Sequence, residues 1–240
     1  MRALLFDVFG TVVDWRGTVI REGEALAMRR GWPVDRVDWA AFADRWRKEG
    51  YTAALARITR GEEPWARVDD LHRRMLDTLL HEHGIRDLDE PAVAQLNRVW
   101  HRLTPWPDAL AGLERLQRRY TVAPLSNGDF ALLTNMAKHA ALPWDCILSA
   151  ELFGAYKQRP EVYLGAVQLL GIAPAEALMV AAHPSDLDAA RAAGLRTAYV
   201  PRPLEFGAPT TEPQGVTSPL PSRFDVIADD FLALAAALGC

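Results

Sequence analysis

Ala3-Leu4-Leu5-Phe6-Asp7-Val8-Phe9-Gly10-Thr11 opens the chain with four consecutive apolar residues that run into a carboxylate and then a glycine. A continuous apolar run of this length suits a strand covered on both faces, because side chains pointing either way then meet protein. Gly10-Thr11 breaks the strand. The same pattern returns far along the chain, at Thr121 to Leu125, Cys146 to Leu148, Leu178 to Ala182 and Thr197 to Val200. Helical patterns lie between these runs: Phe130 to Ala140, Glu161 to Leu170, and Leu187 to Ala193 with Gly194 as its C-terminal cap. Strands alternating with helices predict an α/β fold, a doubly wound parallel sheet with helices on both faces.

Residues 15–106 break this rhythm. They read as helices at Val37 to Ile58, Trp65 to Glu82 and Pro91 to Leu103, punctuated by Gly61, Pro64, Gly84 and Pro105, with no convincing strand. The organisation expected is a sheet domain of residues 1–14 and 107–240, interrupted by a helical domain of residues 15–106. Pro201 to Ser222 is rich in Pro, Gly, Thr and Ser and reads as a long surface loop. A short strand at Phe224 to Ile227 and a helix at Phe231 to Leu238 close the fold.

The 240 residues suffice for one large core or a core with a smaller insertion. A formal net charge of −4 leaves no basic field, so nucleic acid is not the expected partner. Two cysteines, Cys146 and Cys240, make no disulfide framework, and a reducing cytoplasm is the expected location. The first apolar run is too short for a signal peptide, and no stretch approaches the roughly 20 residues that span a bilayer.

In open parallel sheets, ligands bind beyond the carboxyl ends of the strands. The first strand ends in Asp7-Val8-Phe9-Gly10-Thr11, the second in Ser126-Asn127-Gly128-Asp129. The third is followed by Tyr156-Lys157, and the fourth by His183-Pro184-Ser185-Asp186. Each has a bland reading: Asp7 and Ser126-Asn127 as turn formers, Lys157 as a solvated lysine, His183 as structural, Asp186 as the N-cap of the following helix. Four strand ends that deliver two carboxylates, a hydroxyl and an ammonium to one edge are jointly a better match to a catalytic site.

The order Asp7-x-Phe9-Gly10-Thr11, Ser126-Asn127, Lys157, Asp186 resembles the four motifs of the haloacid dehalogenase superfamily. The resemblance spans nearly the whole chain and implies a Rossmann-like core with residues 15–106 as its helical cap domain. Phosphatases and mutases of that superfamily carry a second Asp two residues after the nucleophile; here that residue is Phe9, and a phenyl ring transfers no proton. An aromatic there resembles the type II, or (S)-2-haloacid, dehalogenases. Lys157 followed six residues later by Tyr163 resembles their Lys-Pro-x-x-x-x-Tyr pattern, with Gln158 in place of the Pro. Trp46-Arg47 resembles the pair whose arginine contacts the departing halide, and Arg16 in Asp14-Trp15-Arg16 is its rival. The fourth motif departs from the pattern Ser-Ser-Asn-x-Trp-Asp. It reads Ala181-Ala182-His183-Pro184-Ser185-Asp186, an Ala-Ala-His form associated with dehalogenation that extends to fluoroacetate.

The resemblance implies a small 2-haloacid as substrate, halide and a 2-hydroxy acid as products, no cofactor, no resident metal, and a homodimer. It implies that Asp7 attacks C2 and forms an ester, and that Arg47, with His183, stabilises the halide. Asp186, helped by Lys157, activates the hydrolytic water. Lys157 also relieves repulsion between two carboxylates. Thr11, Ser126 and Asn127 orient Asp7 and the substrate carboxylate, Tyr163 holds Lys157, and Phe9 lines the substrate pocket. Two other readings stay open: a phosphatase with another proton donor, and a binding protein that keeps the fold without turnover.

Overall fold

The computed structural model describes residues 1–208 and 223–240, so residues 209–222 of the expected long loop lie outside the described residues. Six parallel strands form the sheet: β1 (Ala3–Phe6), β4 (Thr121–Ser126), β5 (Leu148–Ser149), β6 (Ala177–Ala181), β7 (Arg196–Tyr199) and β8 (Val226–Ile227). Their order is β5-β4-β1-β6-β7-β8. The four residues of β1 and the five of β6 are all buried, as continuous apolar runs require. From β1 the chain reaches β4 and β5 on one side and β6, β7 and β8 on the other. This places the topological switch point at the carboxyl end of β1.

Helices α6 (Ala109–Gln117), α7 (Phe130–His139), α8 (Pro160–Leu169), α9 (Pro184–Ala192) and α10 (Phe231–Ala237) pack around the sheet. Gly194 follows α9 at φ +89°, and its amide donates to the Arg191 carbonyl, the C-terminal closure expected of it. Asp186 is not the N-cap of α9. His183 occupies the cap position and Pro184 opens the helix, which puts Asp186 in the first turn.

Helices α1 (Trp15–Arg30), α2 (Trp39–Arg47), α3 (Ala54–Thr59), α4 (Val68–Glu82) and α5 (Glu90–Asn97) separate β1 from the rest of the sheet. The helix expected over Val37 to Ile58 is interrupted by a π-helical turn at Lys48–Ala53. Gly50 lies within that turn, and a Cβ there would fall 2.4 Å from Met75 Cβ. The expected helix to Leu103 ends as α5 plus a 3₁₀ turn at Arg98–His101. Helix α1 escaped the periodicity because its buried face includes Thr18 and Gly23 beside Trp15, Val19 and Leu26. Gly23 is there for close approach: a Cβ would lie 2.2 Å from the Trp39 ring. A two-residue antiparallel ribbon, β2 (Val13–Asp14) with β3 (Thr104–Pro105), ties the two ends of the helical segment together; two residues are too few for a sequence pattern.

Asp129, just after β4, caps α4 from across the molecule. Its carboxylate accepts from the backbone amides of Val68 (2.9 Å) and Asp69 (2.7 Å), while Arg67, in the cap position, supplies no side-chain bond. Burial, outweighing those amides, pushes this carboxyl up to about 6. Asp129→Ala is expected to lower stability by about 1–2 kcal/mol in urea unfolding, with Asp129→Asn recovering part of the loss because one acceptor oxygen remains.

Candidate functional site

Asp7 continues the line of β1: its amide donates to the Val180 carbonyl at 3.0 Å, so the carboxylate leaves the sheet at the switch point. Both oxygens are engaged. Lys157 Nζ donates to Oδ1 (2.9 Å); Thr11 Oγ1 (2.7 Å) and His183 Nδ1 (2.9 Å) meet Oδ2. Thr11 is itself fixed by accepting from the Ala182 amide at 2.9 Å. The Lys157 ammonium spends all three donors, on Asp7 Oδ1, the Leu125 carbonyl (2.9 Å) and Asp186 Oδ2 (2.7 Å). Asn127 Oδ1 accepts from the Lys157 amide at 2.7 Å, which orients the lysine backbone. The Lys157–Gln158 peptide is cis.

Tyr163 does not hold Lys157. Its hydroxyl donates to Asp186 Oδ1 at 2.5 Å, and burial, with the nearby carboxylates, pushes it well up so that it stays a donor. Ser126 is fully buried and its Oγ accepts from the Gly128 amide, so it shapes the turn after β4 and does not line the cleft. Phe9 is buried behind the nucleophile, packed edge-on to Tyr51 and Trp100.

Burial pushes the Asp7 and Asp186 carboxyls up, but their neighbours differ. At Asp7 the Lys157 charge, then His183 and Thr11, outweigh burial and hold the carboxyl well below the usual range. At Asp186 burial, with repulsion from Asp7, prevails over Lys157 and Tyr163, and the carboxyl is raised. Burial would deprotonate Lys157, yet Asp186 and Asp7 outweigh it and hold its pKa above the ordinary lysine value. Two carboxyls driven apart in this way suit one nucleophile and one base.

His183, already a candidate from the sequence, is a junction whose second partner the sequence did not reveal. Its Nδ1 meets Asp7 and its Nε2 meets Glu205, 3.0 Å from Oε2. Burial lowers its pKa, but the bonds to Asp7 and Glu205 overcome this and raise it to about 10, so the ring is an imidazolium at neutral pH. With both nitrogens on carboxylates, His183 has no N–H left for a halide while those bonds stand. Glu205, 5% exposed, also accepts from Trp15 Nε1 at 3.1 Å. It lies in the stretch expected as a surface loop: Pro203, Leu204, Phe206 and Ala208 are exposed there, and Glu205 turns inward. Arg202 donates to the Thr11 carbonyl (2.9 Å) and forms a two-pronged bridge to Asp108 (2.7 and 2.8 Å). The only hint was a lone acid between Leu204 and Phe206.

Asp7, Lys157, Asp186, Asn127 and His183 open into a cleft of about 1120 Å³, roofed by Arg47, Tyr51 and Trp15. The Arg47 guanidinium lies 3.9 Å from the Tyr51 ring centre, 5.3 Å from Phe9 and 5.6 Å from Trp15. Its Nη1 is buried without a hydrogen-bond partner among the described residues. Arg16 also lines the cleft but is committed to Asp44 through two bonds, at 2.7 and 3.0 Å. Of the two rivals, Arg47 is the one with a buried N–H group that has no partner among the described residues, and Arg16 is the one whose charge is paired. Among the described residues no group of three or more His, Cys, Asp or Glu side chains is placed to hold a metal ion, and no helix is long and apolar enough to cross a membrane.

A doubly wound core with a helical insertion and an Asp–Lys–Asp cluster at its switch point defines a class of hydrolases, and comparison gives the family. Residues 1–194 match the family model of haloacid dehalogenase-like hydrolases, and the chain belongs to that family. It is 30% identical to an (S)-2-haloacid dehalogenase of Xanthobacter autotrophicus over 84% of this chain and 76% of that one. A crystal structure of an L-2-haloacid dehalogenase superposes with TM-score 0.90 at 45% identity, covering 99% of this chain and 98% of the other. A defluorinating L-2-haloacid dehalogenase gives the same TM-score, 0.90, at 42% identity over 100% and 96%.

Gly10 is the glycine this site cannot exchange. It sits at φ +84°, and a Cβ would lie 2.1 Å from Glu205 Oε1. Gly10→Ala is expected to cost more than the ~1–2 kcal/mol of left-handed strain alone, because Glu205 must also move. Thermal unfolding of Gly10→Ala beside Glu205→Ala/Gly10→Ala checks this: the second chain should recover part of the loss.

Proposed function

We propose that the chain hydrolyses short (S)-2-haloalkanoic acids, haloacetates and fluoroacetate among them, to 2-hydroxy acids through an ester on Asp7. The observation that carries this reading is the pairing, in one cleft, of an ionised buried carboxylate with a buried arginine N–H that has no partner. A carboxylate oxygen of Asp7 attacks C2 in line with the carbon–halogen bond. The halide leaves with the bonding electrons and is received by Arg47, whose charge in this water-poor roof is worth far more than in bulk water. The configuration at C2 inverts. Asp186 then takes a proton from water as it adds to the ester carbonyl, and Lys157 steadies both carboxylates. The active-site residues assigned here are Asp7, Lys157, Asp186 and Arg47, with Thr11, Asn127 and Tyr163 as their supports, and the chain is taken to act as a homodimer.

Phe9 argues against phosphoester hydrolysis. An alkoxide leaving group needs a proton that a phenyl ring cannot supply; a halide needs none. Likeness to a defluorinating enzyme at 42% identity supports extending the substrate range to fluoroacetate.

The test is halide release from racemic 2-chloropropionate without added metal. Release should stop at half the substrate and yield (R)-lactate, and Asp7→Asn should abolish it. No release from this acid or from any haloacetate defeats the reading. Arg47→Ala is expected to lower kcat by about 10²-fold or more, measured as chloride release, whereas Arg16→Ala should cost much less.

A further inference from the structure

We propose that Glu205 is a positioning residue that keeps His183 a charged donor to Asp7 Oδ2 while the ester is hydrolysed, so that the oxyanion forms on Oδ2. The proposal rests on the dehalogenase reading for its chemistry, and on the Trp15–Glu205–His183–Asp7 chain for its geometry. Oδ1 carries one hydrogen bond, from Lys157, and Oδ2 carries two, from Thr11 and His183. The less encumbered Oδ1 keeps more of its lone-pair density and is the attacking oxygen. Its bond to C2 forms as the carbon–halogen pair leaves with the halide, and Oδ2 becomes the ester carbonyl. Water then bonds to Cγ, its proton goes to Asp186, and the carbonyl pair moves onto Oδ2. There Thr11 and His183 already form a two-donor oxyanion hole. On collapse the Cγ–Oδ1 bond breaks, the alkoxide takes the proton back from Asp186, and the Asp7 acid ionises to solvent.

Esterification removes the Asp7 charge, which is one of the two carboxylates in contact with His183. The cleft also presents Arg47, Arg16 and Lys157, which oppose a charged ring, and Asp186 and Asp44, which favour it without touching it. Among the described residues, Glu205 is then the one carboxylate still bonded to the ring. Its place is built: a Trp15 indole N–H holds it, and the glycine at position 10 leaves the space its carboxylate fills. His183 contacts the reacting group and is catalytic; Glu205 acts through it.

The experiment compares wild type with Glu205→Gln, using chloroacetate in rapid-quench single turnovers and intact-protein mass to follow the ester. NMR of ring-labelled histidine follows His183. The proposal expects the halide burst to persist and the ester to accumulate, with hydrolysis slowed about tenfold or more relative to displacement. It expects the His183 midpoint, about 10 in wild type, to fall. Because the charged ring is the active form, hydrolysis is lost as pH rises through the ring's midpoint in the ester, which lies below that of the free enzyme because Asp7 is then uncharged, and the alkaline limb of turnover should move to still lower pH in the variant. In a His183→Asn background, Glu205→Gln should cause no further slowing. An unmoved His183 midpoint, equal slowing of both steps, or undiminished slowing in the His183→Asn background overturns the proposal. If wild type releases no halide from any haloacid, the substrate reading fails, and the His183 titration alone still decides whether Glu205 sets its charge.

Discussion

The ammonium of Lys157 is the contact on which this site depends. Two carboxylates, Asp7 and Asp186, arrive from the ends of adjacent strands β1 and β6, and both are buried. Left alone, one would take a proton. Lys157 lies between them, 2.9 and 2.7 Å from an oxygen of each, and its third donor goes to the carbonyl of Leu125 in β4. One side chain thus joins three neighbouring strands at the switch point and neutralises the charge gathered there. It also makes the carboxyls unequal, because Asp7 has two further donors on Oδ2 whereas Asp186 has one phenol on Oδ1. The division of labour proposed for them follows from this asymmetry.

The parts of the fold with continuous apolar patterns were legible in the chain: β1, β4, β6 and β7, the helices between them, and the convergence of Asp7, Lys157 and Asp186. Local pattern suffices there because a strand buried on both faces must be apolar at every position. Illegible parts depend on partners far away in sequence. Helix α1 buries a threonine and a glycine because Trp39 sits against Gly23, which no window over α1 contains. Asp129 looked like the end of a turn, and is the cap of a helix 60 residues earlier. Glu205 sits in a stretch whose composition signals a surface loop, and its neighbours Leu204 and Phe206 are exposed; Glu205 itself turns inward to Trp15 and His183, which no window over the loop contains. Tyr163 was at the right place with the wrong partner, since spacing from Lys157 says nothing about which oxygen its hydroxyl reaches.

The choice between Arg16 and Arg47 shows why pairing, not proximity in sequence, decides which charge is available. Asp44 lies one helical turn before Arg47 on α2, yet its carboxylate reaches across to Arg16 on α1, with which α2 packs. That bridge pairs the Arg16 charge and takes its Nε and one Nη2 donor. Arg47 is held instead by ring faces, chiefly Tyr51, and aromatic faces attract a guanidinium without occupying its N–H groups. The π-helical turn at Lys48–Ala53 places Tyr51 under the arginine. Helix distortions of this kind recur at functional sites. A cation seated in this way keeps its buried Nη1 donor for an anion.

Phe9 and His183 are then two sides of one arrangement. A phenyl ring two residues after the nucleophile removes proton donation from the first half of the proposed reaction, where a halide asks for none. It also joins the aromatic wall that carries Arg47. The second half does need protons moved and an oxyanion held, and the groups suited to both stand on the other side of Asp7. There Asp186 is raised towards the range of a base, and His183 is charged between Asp7 and Glu205. In the proposed reaction the two demands fall to different groups: Arg47 among its aromatic rings for the leaving group, Asp186 and His183 for the water. Where the most familiar fourth motif has an uncharged amide, this chain sets a histidine ring between Asp7 and Glu205. The missing Cβ at Gly10 leaves the room in which the Glu205 carboxylate reaches that ring beside the nucleophile of the proposed reaction.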